Sequence, residues 1–518
     1  MIESTSLWQL IEERAALSPD DRFAVDAKDR EITFGDYRES ALRTANGLAA
    51  LGVGPGQTVS WMLPTRFESM ILVAALARLG VIQNPILPIY RTREVRFIAN
   101  QCKPTLLITP PESRGFDYPR MAEEIKAEHD GMNTLVVDQR LPESRESLLP
   151  PPPEPQTADA QPVRWLFYTS GTTADPKGVQ HTDASLWAAA KGMGRALELH
   201  ASDRIAFVFP FTHIGGINWL QAGLAYGCTQ ILIESFADPE TIPVLRRHGV
   251  TLATAGTVFH QAYLEAHRES ETPPLFPDVR AFPGGGAPKP PRLHYDLKAA
   301  MGGAGILSGY GLTEAPILSM SSPHDPDQKL AETEGRISLP EVDLRVIRVD
   351  EEPAGCGEEG ELRVRAPQLF RGYLDENLNE AAFDENGYFR TGDLGILDEE
   401  GYVVITGRLK DVIIRKGENI PAKEVEDLLH AHPKVADVAV IGLPDPKTGE
   451  RCCAVVCCRD ATDPLEAREM HAFLRENHLM VQKIPEQLEL VDSLPRNAAG
   501  KILKHELRAR FSVEAQRL

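Results

Sequence analysis

Short apolar runs alternate with longer stretches of helical periodicity along most of the chain. TLLIT (105–109), TLVVD (134–138), RIAFVF (204–209) and QILIE (230–234) have the length and composition of buried strands. Stretches such as SLWAAAKGMGRALEL (185–199) carry the apolar spacing of a helix. That alternation predicts βα units and largely parallel sheets. The N-terminal stretch MIESTSLWQLIEERAALSPD reads as an amphipathic helix ending near Pro19. The run LLPPPPEP (148–155) reads as an exposed, extended linker ahead of the strand WLFYT. Beyond residue 340 the period changes. DLRVIRV (343–349) and GELRVRA (360–366) alternate apolar with polar residues, and DENGYFRTGDLGILDEEGYVVITGR (384–408) has hairpin turns, so an antiparallel, barrel-like region is expected. From Asp411 a small α+β module follows, with strands in VIIRK, ADVAVIGL and ERCCAVVCC and helices in AKEVEDLLHAH and PLEAREMHAFLRENH. The expectation is an α/β protein: a large N-terminal domain of βα-layered sheets with the barrel-like β region, 1–409, and a small mobile α+β domain, 410–518. A chain of 518 residues is in any case too long for one core.

Charge narrows the function. The net charge is −20, with 75 acidic against 55 basic residues and no dense basic run, so a nucleic-acid partner is disfavoured. The longest apolar run near the N-terminus, Met70 to Ala77, stops at Arg78, well short of the roughly 18 residues of a membrane span. The N-terminus carries acids where an export signal carries bases, which predicts a cytoplasmic protein. Four of the seven cysteines lie in CCAVVCC (452–458). On a strand Cys453 and Cys457 would be roughly 13 Å apart, too far to share an ion, so they read as small apolar residues in a reducing compartment.

One stretch points to chemistry. YTSGTTADPKG (168–178) packs five hydroxyl side chains, two glycines and a lysine together. Small residues let backbone N–H groups approach an anion, hydroxyls donate to its oxygens, and Lys177 adds a point charge. It is not a Walker A loop, because Gly178 follows Lys177 where a metal-binding hydroxyl is required. Taken alone, the stretch is equally a turn-rich strand connection.

Further stretches follow in order: FPFTHIGG (209–216), FPGGGAP (282–288), GYGLTE (309–314), GYFRTGDLG (387–395), GRLKDVIIRKGENI (407–420) and PRNAAGKILK (495–504). Together they resemble the adenylate-forming superfamily of acyl-CoA synthetases, peptide-synthetase adenylation domains and firefly luciferases, over essentially the whole chain. The resemblance implies that a carboxylate attacks the α-phosphorus of ATP, pyrophosphate leaves, and the acyl group passes from the adenylate to a thiol. Phosphoryl chemistry of this kind needs charge neutralisation and positioning more than covalent help.

Carried over residue by residue, the resemblance assigns Thr169, Ser170, Gly171, Thr172, Thr173 and Lys177 to the β- and γ-phosphates, with Ala174 standing where the family usually has glycine. It places Tyr310 and Gly311 at the adenine with the backbone of Gly285, Gly286 and Ala287. Thr313 meets the α-phosphate, and Glu314, with Thr169, meets Mg²⁺. Asp393 and Arg408 hold the ribose. His213 orients the substrate carboxylate in a pocket lined by Gly215, Gly216, Trp219 and Gly284, and the side chains missing at Gly215, Gly216 and Gly284 to Gly286 suggest room for a wide acid. Lys501 bridges carboxylate and α-phosphate during adenylation. A pivot near Lys410 then replaces it with Lys416 and Gly417, which meet CoA phosphates and the pantetheine arm. The catalytic set is thus Lys501, His213, Thr313 and Glu314, and the small molecules are ATP, Mg²⁺ and CoA.

The chain stops soon after Lys501 with no carrier domain, which favours free CoA as acceptor. HIGGINW and TAGTVFH show no acid to hold an amino group, so a hydrophobic carboxylic acid is expected, a medium- or long-chain fatty acid or an alicyclic or steroid-derived one. Two alternatives stand beside this reading: an acyl-AMP ligase loading a separate carrier protein, and a non-catalytic acyl or nucleotide binder on the same fold. A homodimer is compatible with the sequence.

Overall fold

The computed structural model describes all residues except 113–114, 145–148, 155, 170–175, 288, 416–417, 446–447, 498–499 and 515–518. The chain forms two compact units, one of residues 1–286, 293–343 and 365–387, the other of residues 287–292, 344–364 and 388–518.

The first unit is mixed α/β with several sheets, as the alternating runs predict. A six-stranded sheet runs in the order Asn133–Val136, Leu106–Thr109, Thr58–Trp61, Ile82–Pro85, Trp165–Thr169, Lys177–His181. All its pairs are parallel except the last, which is a hairpin. A second sheet orders Glu31–Thr33, Arg22–Asp26, Thr229–Leu232 and Arg204–Phe207. A third orders Phe282–Gly285, Ile306–Leu312, Ala315–Met320 and Arg336–Ile337. The parallel strands Leu106–Thr109 and Thr229–Leu232 are buried on both faces, which is why they read as unbroken apolar runs. Asn133–Val136, which overlaps TLVVD, is not the buried strand expected: it lies at the sheet edge with Asn133 and Val136 exposed, because it has a neighbour on one side only. Helices Leu7–Leu17, Phe67–Leu79, Asp183–Ala196 and Ile214–Tyr226 supply the apolar cover, in one core with Trp61, Phe207 and Phe211. Ser6 caps the first helix, and Thr33 and Asp36 form a reciprocal capping box on Phe34–Ala50. Within the proline run Pro151, Pro152 and Glu154 are exposed, as expected of a linker, but the Pro150 carbonyl accepts from the buried Arg78 guanidinium at 2.9 Å and ties the run to the helix Phe67–Leu79.

The second unit carries an antiparallel sheet of Asp343–Ile347, Gly360–Arg365, Phe389–Leu397 and Val403–Arg408. It also carries the C-terminal sheet Glu418–Pro421, Val412–Arg415, Gly449–Cys458 and Val435–Asp445, joined by Gln487–Leu490. The four clustered cysteines lie on the strand Gly449–Cys458, and their side chains divide between two cores. Cys452 packs with Ala454 and Val456, whereas Cys453 packs with Val455 and Cys457. Among the described residues no cluster of metal-ligating side chains forms, and all seven cysteines are unpaired. No described helix is long and apolar enough to cross a membrane.

Candidate active site

The strands that bracket YTSGTTADPKG pair antiparallel with Thr169 opposite Lys177. Ser170, Gly171, Thr172, Thr173 and Ala174 lie outside the described residues, as do Lys416 and Gly417. Along Lys177–His181, side chains alternate, so Lys177, Val179 and His181 share a face. On the free edge of this strand lies the segment 371–374: Arg371 N donates to Gln180 O at 2.8 Å and Leu374 N to Gly178 O at 2.8 Å. That ladder delivers Tyr373. The Lys177 ammonium sits 5.1 Å from its ring centroid, a cation–π contact.

Tyr373 in turn donates from its hydroxyl to Glu314 Oε1 at 2.8 Å. Burial first, and then the Glu314 charge, raise the tyrosine pKa, so it stays a donor. Glu314 stands at a hairpin tip. Strands Ile306–Leu312 and Ala315–Met320 pair with Leu312 opposite Ala315, leaving Thr313 and Glu314 as the two-residue turn. The Glu314 carbonyl accepts from Phe370 N at 2.8 Å, and the Thr313 carbonyl accepts from His181 Nε2 at 2.7 Å. Cation, phenol, carboxylate and imidazole thus converge on one turn from segments far apart in sequence.

Tyr310, buried on the same hairpin, pairs with Ser319. Gly285 pairs in parallel with Gly309, and a Cβ on Gly285 would lie 2.4 Å from the Gly309 carbonyl oxygen. Glycine is what lets these strands meet. Gly286 is exposed, and Gly284 and Ala287 are half-buried.

His213 caps the helix Ile214–Tyr226, its Nδ1 accepting from Gly215 N at 3.1 Å. A ring nitrogen that accepts carries no proton, so the neutral ring keeps its hydrogen on Nε2. Burial lowers its pKa to about 4. At neutral pH His213 is therefore an uncharged donor, suited to a carboxylate oxygen.

The glycines beside it differ from each other. A Cβ on Gly216 would stand 2.3 Å from the Phe211 carbonyl oxygen, whereas the nearest atoms to one on Gly215 would be side-chain atoms, His213 Nδ1 at 3.1 Å, His213 Cε1 at 3.7 Å and Phe209 Cε2 at 3.8 Å. Gly216 therefore serves the close approach of helix and backbone, and Gly215 is the position from which an added side chain presses on His213. Trp219 is buried in the core of the unit. We expect Gly216→Val to destabilise the fold by about 1 to 3 kcal/mol or more, with equal loss for every acid. Gly215→Ala should keep the melting temperature and change relative kcat/KM among acids; selectivity that moves with Gly216 and not Gly215 would reverse this assignment.

In the second unit, Asp393 and Arg408 face each other across a hairpin, with Arg408 Nε 2.7 Å from Asp393 Oδ1. Asp393 is buried. Lys501 is held to Asn497 by two bonds: Asn497 N donates to the Lys501 carbonyl at 2.9 Å, and Lys501 N–H donates to Asn497 Oδ1 at 2.9 Å. Burial, aided by the charges of Arg408 and Lys410, lowers the Lys501 pKa to about 8, against the pull of Asp393 and Asp411. Burial also lowers the pKa of Lys410, and Asp411 is held by Arg508 at 2.8 Å.

Sequence reasoning missed Tyr373 and His181. For His181 a signal existed, since it stands four residues after Lys177 on a strand and must share its face. For Tyr373, in FRGYL, nothing local marks the partner.

Comparison with known proteins identifies the family. The model of the AMP-binding enzyme family matches residues 11–374, and that of the AMP-binding enzyme C-terminal domain matches residues 424–501. The chain is 31% identical over 509 residues to the salicyl-AMP ligase / salicyl-S-ArCP synthetase of Mycobacterium tuberculosis, covering 94% of this chain and 87% of the relative. It is 28% identical over 518 residues to the medium-chain fatty-acid–CoA ligase of Escherichia coli, covering 97% and 89%. Among solved structures, the o-succinylbenzoate CoA synthetase of Bacillus subtilis in complex with its acyl-adenylate intermediate superposes with a TM-score of 0.83 at 30% identity, covering 98% of this chain and 99% of that one. With both family models matched in chain order, this protein belongs to the AMP-binding enzymes, the adenylate-forming superfamily of AMP-forming ligases.

Proposed function

We propose that the protein is an ATP-dependent acyl-CoA synthetase that activates a hydrophobic carboxylic acid as its acyl adenylate, releases pyrophosphate, and transfers the acyl group to CoA. The observation that carries this reading is the convergence of Lys177, Tyr373 and Glu314 beside Thr313 on one hairpin turn. A cation, a hydroxyl and a carboxylate so placed suit the phosphates of ATP and a divalent ion.

The residues fit Mg²⁺. Glu314 offers hard carboxylate oxygens, and the described residues provide no cluster of three or more ligating groups, so an ion there would share Glu314 with phosphate and water, the way Mg²⁺ is usually held. When bound, it would neutralise charge on the phosphates. Thr169 stands at the end of the strand leading into the phosphate loop and serves the same end of the nucleotide. Asp393 and Arg408 hold the ribose, with Tyr310, Gly311, Gly284, Gly285, Gly286 and Ala287 around the adenine and acyl group. His213 donates to the carboxylate, Lys501 meets carboxylate and α-phosphate, and Lys416 and Gly417 take part in the CoA step. We place the functional boundary between 1–409 and 410–518. Unpaired thiols, including the exposed Cys356, suit a reducing compartment such as the cytoplasm.

The acid is argued from the helix after His213, whose sequence IGGINWLQAGLAY carries no charge and is mostly buried. A second reading, transfer of the adenylate to a carrier protein, is favoured by the salicyl-AMP ligase relative, whose name includes that acceptor. A non-catalytic binder is disfavoured because Lys177, Glu314, Asp393 and Lys501 are all retained. Acid-dependent pyrophosphate exchange across a panel of carboxylic acids, run with and without CoA and read by mass detection, decides among them. Acyl-CoA is the expected product. Exchange without any acyl-CoA would move the reading to the carrier-protein ligase, and absence of exchange with ATP still bound would leave the binder.

A further inference from the structure

We propose that His181 is a positioning residue for nucleotide activation: it clamps the Thr313–Glu314 turn to the strand that carries Lys177, so that the phosphate-binding lysine and the α-phosphate turn move as one body. The inference rests on the ligase reading above and assigns to it a residue outside its expected site.

The geometry fixes the direction of the bond. The Thr313 carbonyl can only accept, so His181 Nε2, 2.7 Å away, must carry the hydrogen. Nδ1 is then the acceptor and faces Ser185 Oγ at 2.9 Å. His181 has no measurable exposure, so a lost bond here would leave buried polar atoms without water to replace it. The imidazole is neutral, because burial lowers its pKa to about 4.

What makes this more than core packing is the pair of contacts on one strand. Lys177 and His181 project from the same face of Lys177–His181, one over Tyr373, the other to Thr313. Tyr373 closes the loop by its bond to Glu314, the residue after Thr313. The Thr313 backbone is thus fixed on one side through its own carbonyl and on the other through the Glu314 carboxylate. A turn held at both points presents its hydroxyl and carboxylate in one orientation before ATP arrives, which avoids reorganisation during the reaction. Freed of His181, the turn would keep Glu314 bonded to Tyr373 but lose the register of the Thr313 hydroxyl.

Two substitutions separate the two ring nitrogens. In His181→Gln the amide nitrogen can reach the position of Nε2 and still donate to Thr313. In His181→Asn it reaches only the position of Nδ1 and serves Ser185 alone. The probe is ATP with Mg²⁺ bound to the full chain without any acid, read by phosphorus NMR. We expect His181→Asn to shift the resonance of the bound α-phosphorus while leaving the γ-phosphorus in place, and His181→Gln to return it toward the wild-type position. With an acid that supports pyrophosphate exchange, His181→Asn should lower kcat by about tenfold or more with little change in KM for ATP, and His181→Gln should recover most of that loss. Equal behaviour of the two variants, or losses that simply follow their melting temperatures, would show that His181 only fills the core. Wild-type protein that fails to bind ATP would overturn the ligase reading and this inference with it. Wild-type protein that binds ATP with an α-phosphorus signal unchanged in His181→Asn would overturn the inference alone.

Discussion

Lys501→Ala should lower the rate of acyl-adenylate formation by about 10²-fold or more, the scale on which one positioned charge acts in a transition state. Conversion of supplied acyl adenylate and CoA to the thioester should be largely unaffected, because no pentavalent phosphorus forms in that half-reaction. Lys501 is desolvated and flanked by Arg408 and Lys410, and its pKa falls to about 8. Only the ammonium can offset charge on the carboxylate and α-phosphate, so kcat/KM for adenylation in the wild type should decline as pH rises through about 8 and hold below it, until other groups titrate. Pyrophosphate exchange over pH 6 to 10, together with separate assay of the thioester step, checks both. Equal loss in the two half-reactions would sink the assignment of Lys501 to adenylation. An alkaline limb above pH 10 would show that its charge is not destabilised as the structure indicates.

Glu314→Gln is the second change with a large expected effect. The substitution is isosteric, and its carbonyl oxygen can still accept from Tyr373, so the hairpin and the melting temperature should survive. What disappears is the negative charge. If Glu314 holds Mg²⁺ against the phosphates, adenylation should fall by about 10² to 10³-fold, the cost of losing a principal electrostatic contact in a water-poor site. The Mg²⁺ concentration for half-maximal ATP binding should rise in parallel. Calorimetric titration of ATP at several Mg²⁺ concentrations reads this without turnover. A variant slowed in catalysis but unchanged in its Mg²⁺ requirement would assign Glu314 to substrate orientation and leave the ion to other oxygens.

Much of the architecture was legible from periodicity. The runs TLLIT and QILIE became strands with every residue of Leu106–Thr109 and Thr229–Leu232 buried, because a parallel strand covered on both faces has no polar side to display. The first helix ends at Leu17, where the reading placed its end near Pro19. CCAVVCC divides its thiols between two cores as strand alternation requires. Candidate groups were legible as residue types in motifs that resemble the family: a carboxylate in GYGLTE, a lysine in the last glycine stretch, a histidine in FTHIGG. Chemistry was not legible where it depends on partners. The bond from Tyr373 to Glu314 spans 59 positions, and the one from His181 to Thr313 spans 132.

The sequence by itself therefore determined the local elements, the fold class and the family, since strand and helix periods, turn residues and motif order are written in short windows. Only the tertiary structure decided that Lys177, Tyr373, Glu314 and His181 form one array, and that Gly216 exists for the Phe211 backbone where its neighbour Gly215 faces His213. The reason is geometric. A pattern of apolar positions says which face of an element is buried, but the residue it is buried against is set by sheet order and strand register, and the six-stranded sheet places Lys177–His181 at its edge, where the segment 371–374 can pair with it.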